Sequence, residues 1–182
     1  MMDSDSAWGS LVETEREYYR LRHKLWSSPD AENGFRAALK NIERRGTALR
    51  VLQDAPVELI AALFTEVFDL TLGDPENIGP ARAALLRLNR NTLLDKLHRH
   101  IEELLNRDNL TDWEYRRVCE LLEESAAFEL LRTIVENAST SSDLDIIEVA
   151  EDYQQKATKP IPRPPPSLQL DHQTIPIPKP RG

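Results

Sequence analysis

The chain has 182 residues, 40% of them apolar and 30% charged, a composition of globular proteins and not of disordered ones. Its net charge of −8 is unevenly spread: residues 156–182 hold Lys156, Lys159, Arg163, Lys179 and Arg181 against Asp171, a net +4, which leaves −12 on the rest. An acidic body argues against nucleic acid as a partner, because that affinity comes mainly from phosphate neutralisation; the apolar runs, such as Leu59 to Phe64, are too short to span a bilayer, so no membrane partner is expected.

The start Met-Met-Asp-Ser-Asp-Ser has no positive segment followed by an apolar run, so no secretory signal is expected. Ser10-Leu11-Val12-Glu13 has the form of a capping box, in which the serine oxygen accepts a backbone N–H and the glutamate reaches back. Leu11, Tyr18, Leu21, Leu25 and Trp26 follow at helical spacing. Ser28-Pro29 with Asp30 and Glu32 predicts a second helix start, with Phe35, Ala38, Leu39 and Ile42 as its apolar stripe and Gly46 as its stop. A short helix through Leu49 and Leu52 comes next.

Pro56 opens an apolar helix ending near Gly73, Asp74–Gly79 reads as a turn, and Pro80 begins a helix to about Asn89. Asn91 is placed as the cap of a helix carrying Leu94, Leu97, Ile101 and Leu104. Thr111-Asp112-Trp113-Glu114 is a second capping box, starting a helix to about Glu124. Ser125 is read as the cap of the next, which ends near Ala138, and a last helix begins at Asp143 and fades before Pro160. With no strand alternation between hairpin turns, the fold class is all-α. The organisation expected is an all-helical domain over 1–155 and a proline-rich, disordered tail over 156–182.

Three helices align at one offset of 34 residues: Ile60, Leu94 and Phe128; Leu63, Leu97 and Leu131; Val67, Ile101 and Val135; Leu70, Leu104 and Ala138. The segments between them match too, Arg82 with Arg116, Ala84 with Val118, Leu85 with Cys119 and Leu88 with Leu122, and Arg36, Ala38, Leu39 and Ile42 repeat the pattern earlier. A fixed offset of this size is the mark of stacked helical hairpins, each needing its neighbours to bury its apolar face. Residues 29–155, and Asp112 to Leu122 above all, resemble the HEAT and armadillo helical-hairpin repeats. The resemblance implies a right-handed, solenoid-like stack; an irregular helical bundle is the alternative.

Little in the chain suggests catalysis. No glycine-rich phosphate loop, paired zinc motif or nucleophile elbow is present, so no enzyme activity and no cofactor is expected. Cys119, the single cysteine, cannot close an internal disulfide, which favours a cytoplasmic setting, and its apolar neighbours mark it as a buried hydrophobe. Asp95, His98 and Glu102 share a helix face at a spacing that suits metal ligands. That face lies opposite the Leu94, Leu97 and Ile101 stripe, which favours a solvated surface, whereas His100 lies nearer the apolar edge and reads as a packing residue.

Arg36, Arg82 and Arg116 occupy matching positions and would form a ladder on a regular stack, gripping an acidic peptide or a nucleic-acid backbone or pairing with acids of neighbouring units; the acidic body favours the pairing. Trp26 and Trp113 sit at helix ends, where an indole packs on one side and donates its N–H outward; Trp113 is also a candidate partner contact, and Trp8 is read like them as a packing residue. In the tail, Lys159-Pro160-Ile161-Pro162-Arg163-Pro164-Pro165 fits the basic-x-x-Pro-x-x-Pro pattern of Src-homology-3 ligands, with Lys159, Pro162 and Pro165 as contacts; a solvated linker has the same composition. The function these features suggest is a scaffold or regulatory module that binds a protein through its helical body, with the tail as second contact or linker. The alternatives are a small metal-binding regulatory or enzymatic helical bundle and nucleic-acid binding through the arginine ladder.

Overall fold

The computed structural model describes residues 4–107 and 109–158, and these form ten α-helices and no strand. In chain order they are α1 (Ser4–Trp26), α2 (Ala31–Lys40), α3 (Ile42–Leu52), α4 (Val57–Ala62), α5 (Phe64–Leu72), α6 (Pro75–Leu85), α7 (Arg90–Leu105), α8 (Asp112–Glu124), α9 (Phe128–Ser139) and α10 (Leu144–Ala157). The all-α expectation is met. The tail contacts Lys159, Pro162 and Pro165 lie outside the described residues.

Helix ends are set by local chemistry, and several lie away from where the sequence suggested. The capping box at Thr111 is formed: its hydroxyl accepts from the Glu114 N–H, and the Glu114 carboxylate accepts from the Thr111 N–H at 3.0 Å. Asp143 caps α10 through the Asp145 N–H. Ser10, by contrast, lies inside α1, with its hydroxyl donating back to the Ser6 carbonyl. Asn41 ends α2 and caps α3, so Gly46 is interior to α3 and not a stop, and Ile42 begins α3 with 79% of its surface exposed instead of joining the α2 stripe. Pro29 lies two residues ahead of α2.

The Asp74–Gly79 segment is mostly helix: α6 starts at Pro75 and runs through Pro80. Pro80 is its sixth residue, near enough to the start that the helix loses one backbone bond, to the Glu76 carbonyl, and continues. Asn89, two residues before Asn91, caps α7 by accepting from the Thr92 N–H. Ser125 closes α8 instead of opening α9. There Ala126 turns left-handed at φ 53°, its N–H bonds the Glu123 carbonyl, and the Ala127 N–H bonds Leu122, a Schellman closure built without glycine.

One hydrophobic core runs from Phe35 on α2 to Ala157 on α10. Within it α3 packs on α2 and α6, α5 on α6 and α8, and α8, α9 and α10 on one another, with α7 against α9. Some positions 34 residues apart are buried alike: Leu63, Leu97 and Leu131 are fully enclosed, as are Val118 and Ala84, and Cys119 and Leu85; others are not, with Ile60 buried but Leu94 and Phe128 only partly so. α1 stands apart, because none of its residues is buried.

Ala126 generates a test. An L-residue in the left-handed region is strained by its Cβ, and glycine is not. Ala126→Gly is expected to raise unfolding stability by about 1 kcal/mol, read as a higher urea midpoint at unchanged m-value.

Candidate functional site

The three arginines of the proposed ladder are each engaged within the fold. Arg36 on α2 pairs with Glu66 on α5 and with Glu32 one turn back. Arg116 on α8 meets Asp152 on α10 at 2.7 Å. Arg82 on α6 is the buried one, at 7% exposure: Nη2 donates to Glu120 Oε2 at 2.6 Å and to the Arg117 carbonyl at 3.0 Å, and Nη1 donates to Glu124 Oε1 at 2.8 Å. Apart from Arg36–Glu32 within one helix, these links join residues 30 to 42 apart in the chain.

Glu120 serves two cations, because Arg117 also donates to it at 2.7 Å. Burial pushes its pKa upward, but the hydrogen bonds and charges of Arg82 and Arg117 outweigh burial and hold the carboxyl below its ordinary range. Arg117 in turn stacks on Trp113, with the guanidinium carbon 3.8 Å from the ring centroid. The Trp113 N–H does not point outward: it donates to the Leu72 carbonyl on α5 at 3.1 Å. Trp113 thus spends its polar handle inside the fold, although 39% of its surface is exposed.

His98 and Glu102 lie on the exposed face of α7, 3.1 Å apart and both more than 60% exposed. Asp95 and His98 line a groove of about 500 Å³ between α7 and the start of α9, walled by Leu94, Ala127, Phe128 and Leu130. Among the described residues no group of three His, Cys, Asp or Glu is arranged to hold a metal, so the spacing on α7 does not become a ligand set. His100 packs as its position suggested, with its ring 4.8 Å from Phe64 and 5.4 Å from Phe68. Its Nδ1 donates to the Lys96 carbonyl, which leaves Nε2 to accept from the Thr65 hydroxyl in the neutral ring. Cys119 is fully enclosed, and burial pushes its thiol up to about 12, far from a reactive thiolate.

The surface that sequence reasoning did not single out is α1. Trp8, Leu11, Val12, Tyr18, Tyr19 and Leu25 lie within one broad face and are 41–64% exposed. Among the described residues the helix is fastened near its C-terminal end, where Arg22 bonds Asp54 and stacks 4.7 Å over Trp26, which packs on the core. Beside that end, Leu25, Phe35, Ala38, Thr47, Ala48 and Val51 line a mostly apolar groove of about 380 Å³. The available signal was that the 34-residue register begins only after α1, so no repeated partner helix was assigned to its stripe. No family model, curated protein or solved structure matches the chain.

Three outcomes follow from the buried pair and the thiol. Arg82→Met should cost roughly 3 kcal/mol, the low end for a broken buried pair because Arg117 still holds Glu120, whereas Arg116→Ala on the exposed pair should cost under about 1 kcal/mol. Because folding lowers the Glu120 pKa, its contribution is complete above the ordinary carboxylate range and is lost as pH falls through the folded value; urea titrations below pH 5 should show that loss in the native chain and less of it in Arg82→Met. Cys119 should resist a thiol reagent at pH 8 in the native state and label fully in denaturant.

Proposed function

We propose that this chain is a non-enzymatic protein–protein interaction module, a helical body of hairpins similar to HEAT and armadillo units that presents α1 as its contact surface, with residues 156–182 as second contact or linker. The observation that carries the reading is the apolar face of α1. A contiguous exposed face of this kind is the usual mark of an interaction site on a folded domain. Its residue types fit as well, since tryptophan and tyrosine are enriched where surfaces meet.

The arginine row supports the reading only as architecture. Arg36, Arg82 and Arg116 are neutralised by Glu66, Glu120 and Asp152, so this row offers no free cation to a phosphate backbone. The contact residues are therefore relocated from Arg36, Arg82, Arg116 and Trp113 to α1 and the groove at its base. The 34-residue register supports the stacked-hairpin description in part: Leu63, Leu97 and Leu131 are equally enclosed, as are Val67, Ile101 and Val135, whereas Ile60 is buried and its matches Leu94 and Phe128 are only partly so.

The test is affinity capture with three forms: the native chain, a variant carrying Trp8→Ser and Leu11→Ser, and a chain ending after Thr158, which keeps α10 and the Lys156–Glu123 pair whole. The expected result is a bound protein, a second copy of the chain included, that is retained after removal of the tail and lost from the α1 variant, whose far-UV circular dichroism is unchanged. Equal recovery with the α1 variant defeats the assignment to α1, and loss on truncation alone moves the contact to the tail.

A further inference from the structure

We infer that residues 160–166 of this chain, which lie outside the described residues, run extended in the groove between α9 and α10 and cover the end of the helical stack. The inference is independent of the α1 reading and gives the first stretch of the tail a place on its own body.

The groove has a volume of about 400 Å³. Val135 on α9 and Ile147, Ala150 and Ala157 on α10 form its apolar floor, and Arg132, Glu136 and Glu151 stand on its rim. Thr158, the last described residue, lines it as well, so the chain leaves α10 at the mouth of this groove.

The order of the helices says what belongs there. α9 packs on α8 and on α7, the helix 34 residues before it. One register later, residues 162–173 would supply the helix that packs on α10 and on α9, and the groove lies between those two. Pro162, Pro164, Pro165 and Pro166 bar a helix from that stretch, because each lacks an N–H and restricts the residue before it. The outer face of a terminal unit must be polar or covered, and this floor is apolar. A proline-rich chain is already stiff and extended, so laying it on that floor costs little ordering entropy.

Length and charge both fit. From Ile147 to Thr158 the helix rises about 16 Å. An extended proline-rich chain advances about 3.1 Å per residue and crosses that span in about five or six residues. Residues 160–166 therefore cover the groove once Thr158 and Lys159 have reversed the chain. At three residues per turn, Ile161 and Pro164 share one edge and Pro162 and Pro165 the next, and these two edges meet the floor. Arg163 falls on the third edge, turned to the rim. It stands about 9 Å from Pro160, and Glu151 about 10 Å from Thr158, which brings the two level. Glu136 and Glu151 take part in no ion pair among the described residues. Against Arg132 they leave the rim one charge negative, whereas residues 159–182 hold Lys159, Arg163, Lys179 and Arg181 against Asp171, a net +3. Pro162 and Pro165 then face the body, so a Src-homology-3 domain has to displace the tail before it can take them.

Disulfide trapping in the full chain tests the inference, since Cys119 is enclosed and does not compete. Ser167→Cys is combined with Ser139→Cys, at the far end of the groove, or with Asp145→Cys, two residues before Ile147 and so on the opposite side of α10. Both partner positions are exposed. At micromolar concentration the pair with Ser139→Cys should close within one chain roughly tenfold faster, or more, than the pair with Asp145→Cys; in denaturant the two should close at similar rates. Glu151→Arg should remove the preference, and Glu151→Arg with Arg163→Glu should restore it. Equal native rates for the two pairs overturn the docking. A disulfide between chains assigns the groove to the tail of a second copy and overturns docking within one chain, and a preference untouched by Glu151→Arg overturns the pairing with Arg163.

Discussion

The buried guanidinium of Arg82 is the constraint from which much of the packing follows. A cation at 7% exposure has to be matched by charge and by hydrogen bonds, since an unpaired one would cost several kcal/mol. It is matched by Glu120, Glu124 and the Arg117 carbonyl, all on α8, which fixes the distance and rotation of α6 relative to α8. Arg117 then shares Glu120 and stacks on Trp113, and Trp113 reaches across to Leu72 at the end of α5. Three helices are thereby fixed in register by one continuous set of polar contacts. The apolar residues beneath it, Leu85, Cys119 and Leu121 among them, supply the larger share of stability, but they are less directional and would tolerate other rotations.

The same logic holds elsewhere in the acidic body. Where neighbouring helices cross, an arginine or lysine meets a carboxylate about one hairpin away: Arg36 with Glu66, Arg82 with Glu120, Arg116 with Asp152, and in the reverse sense Lys156 with Glu123. Backbone ends are closed by arginines too, with Arg87 donating to the Leu52 and Ala55 carbonyls and Arg90 to those of Ser125 and Ala126. These particular cations are thus directed across helix contacts or onto backbone carbonyls. A sequence count of charges registers the surplus, but it does not reveal which cations are turned toward neighbouring helices.

What could be read from the sequence was what depends on near neighbours. The Thr111 capping box needs only a residue three positions on, and it formed; Asp143 did likewise. The burial of Cys119 and the packing of His100 followed from helical periodicity alone. The misplaced ends have a shared cause: residues with strong turn or cap preferences were read as boundaries although the surrounding helix could absorb them. Gly46 and Pro80 each cost a helix about one favourable interaction, less than packing against α6 or α5 returns, and so both lie inside helices. Ser125 was misassigned because a serine after a helix can close it as readily as open the next, and the left-handed Ala126 that decides the matter has no sequence signature.

The candidate site was the least legible part, for a reason that concerns periodicity itself. An apolar stripe at helical spacing records that one face avoids water, and is silent on whether the cover comes from the same chain. α1 and α7 show comparable stripes, yet Leu97 and Ile101 are enclosed while Leu11 and Tyr18 are exposed. Residue type carries the distinction better than spacing does. α1 holds two of the three tryptophans and two of the four tyrosines but none of the four phenylalanines, and three of those phenylalanines, Phe35, Phe64 and Phe68, are deep in the core. A phenyl ring has no polar edge and gains most from complete enclosure, whereas an indole or phenol can keep its N–H or O–H in water while its body waits for a partner. Read for that division of aromatic types, the first helix is marked as a surface that is stable when exposed and more stable when covered.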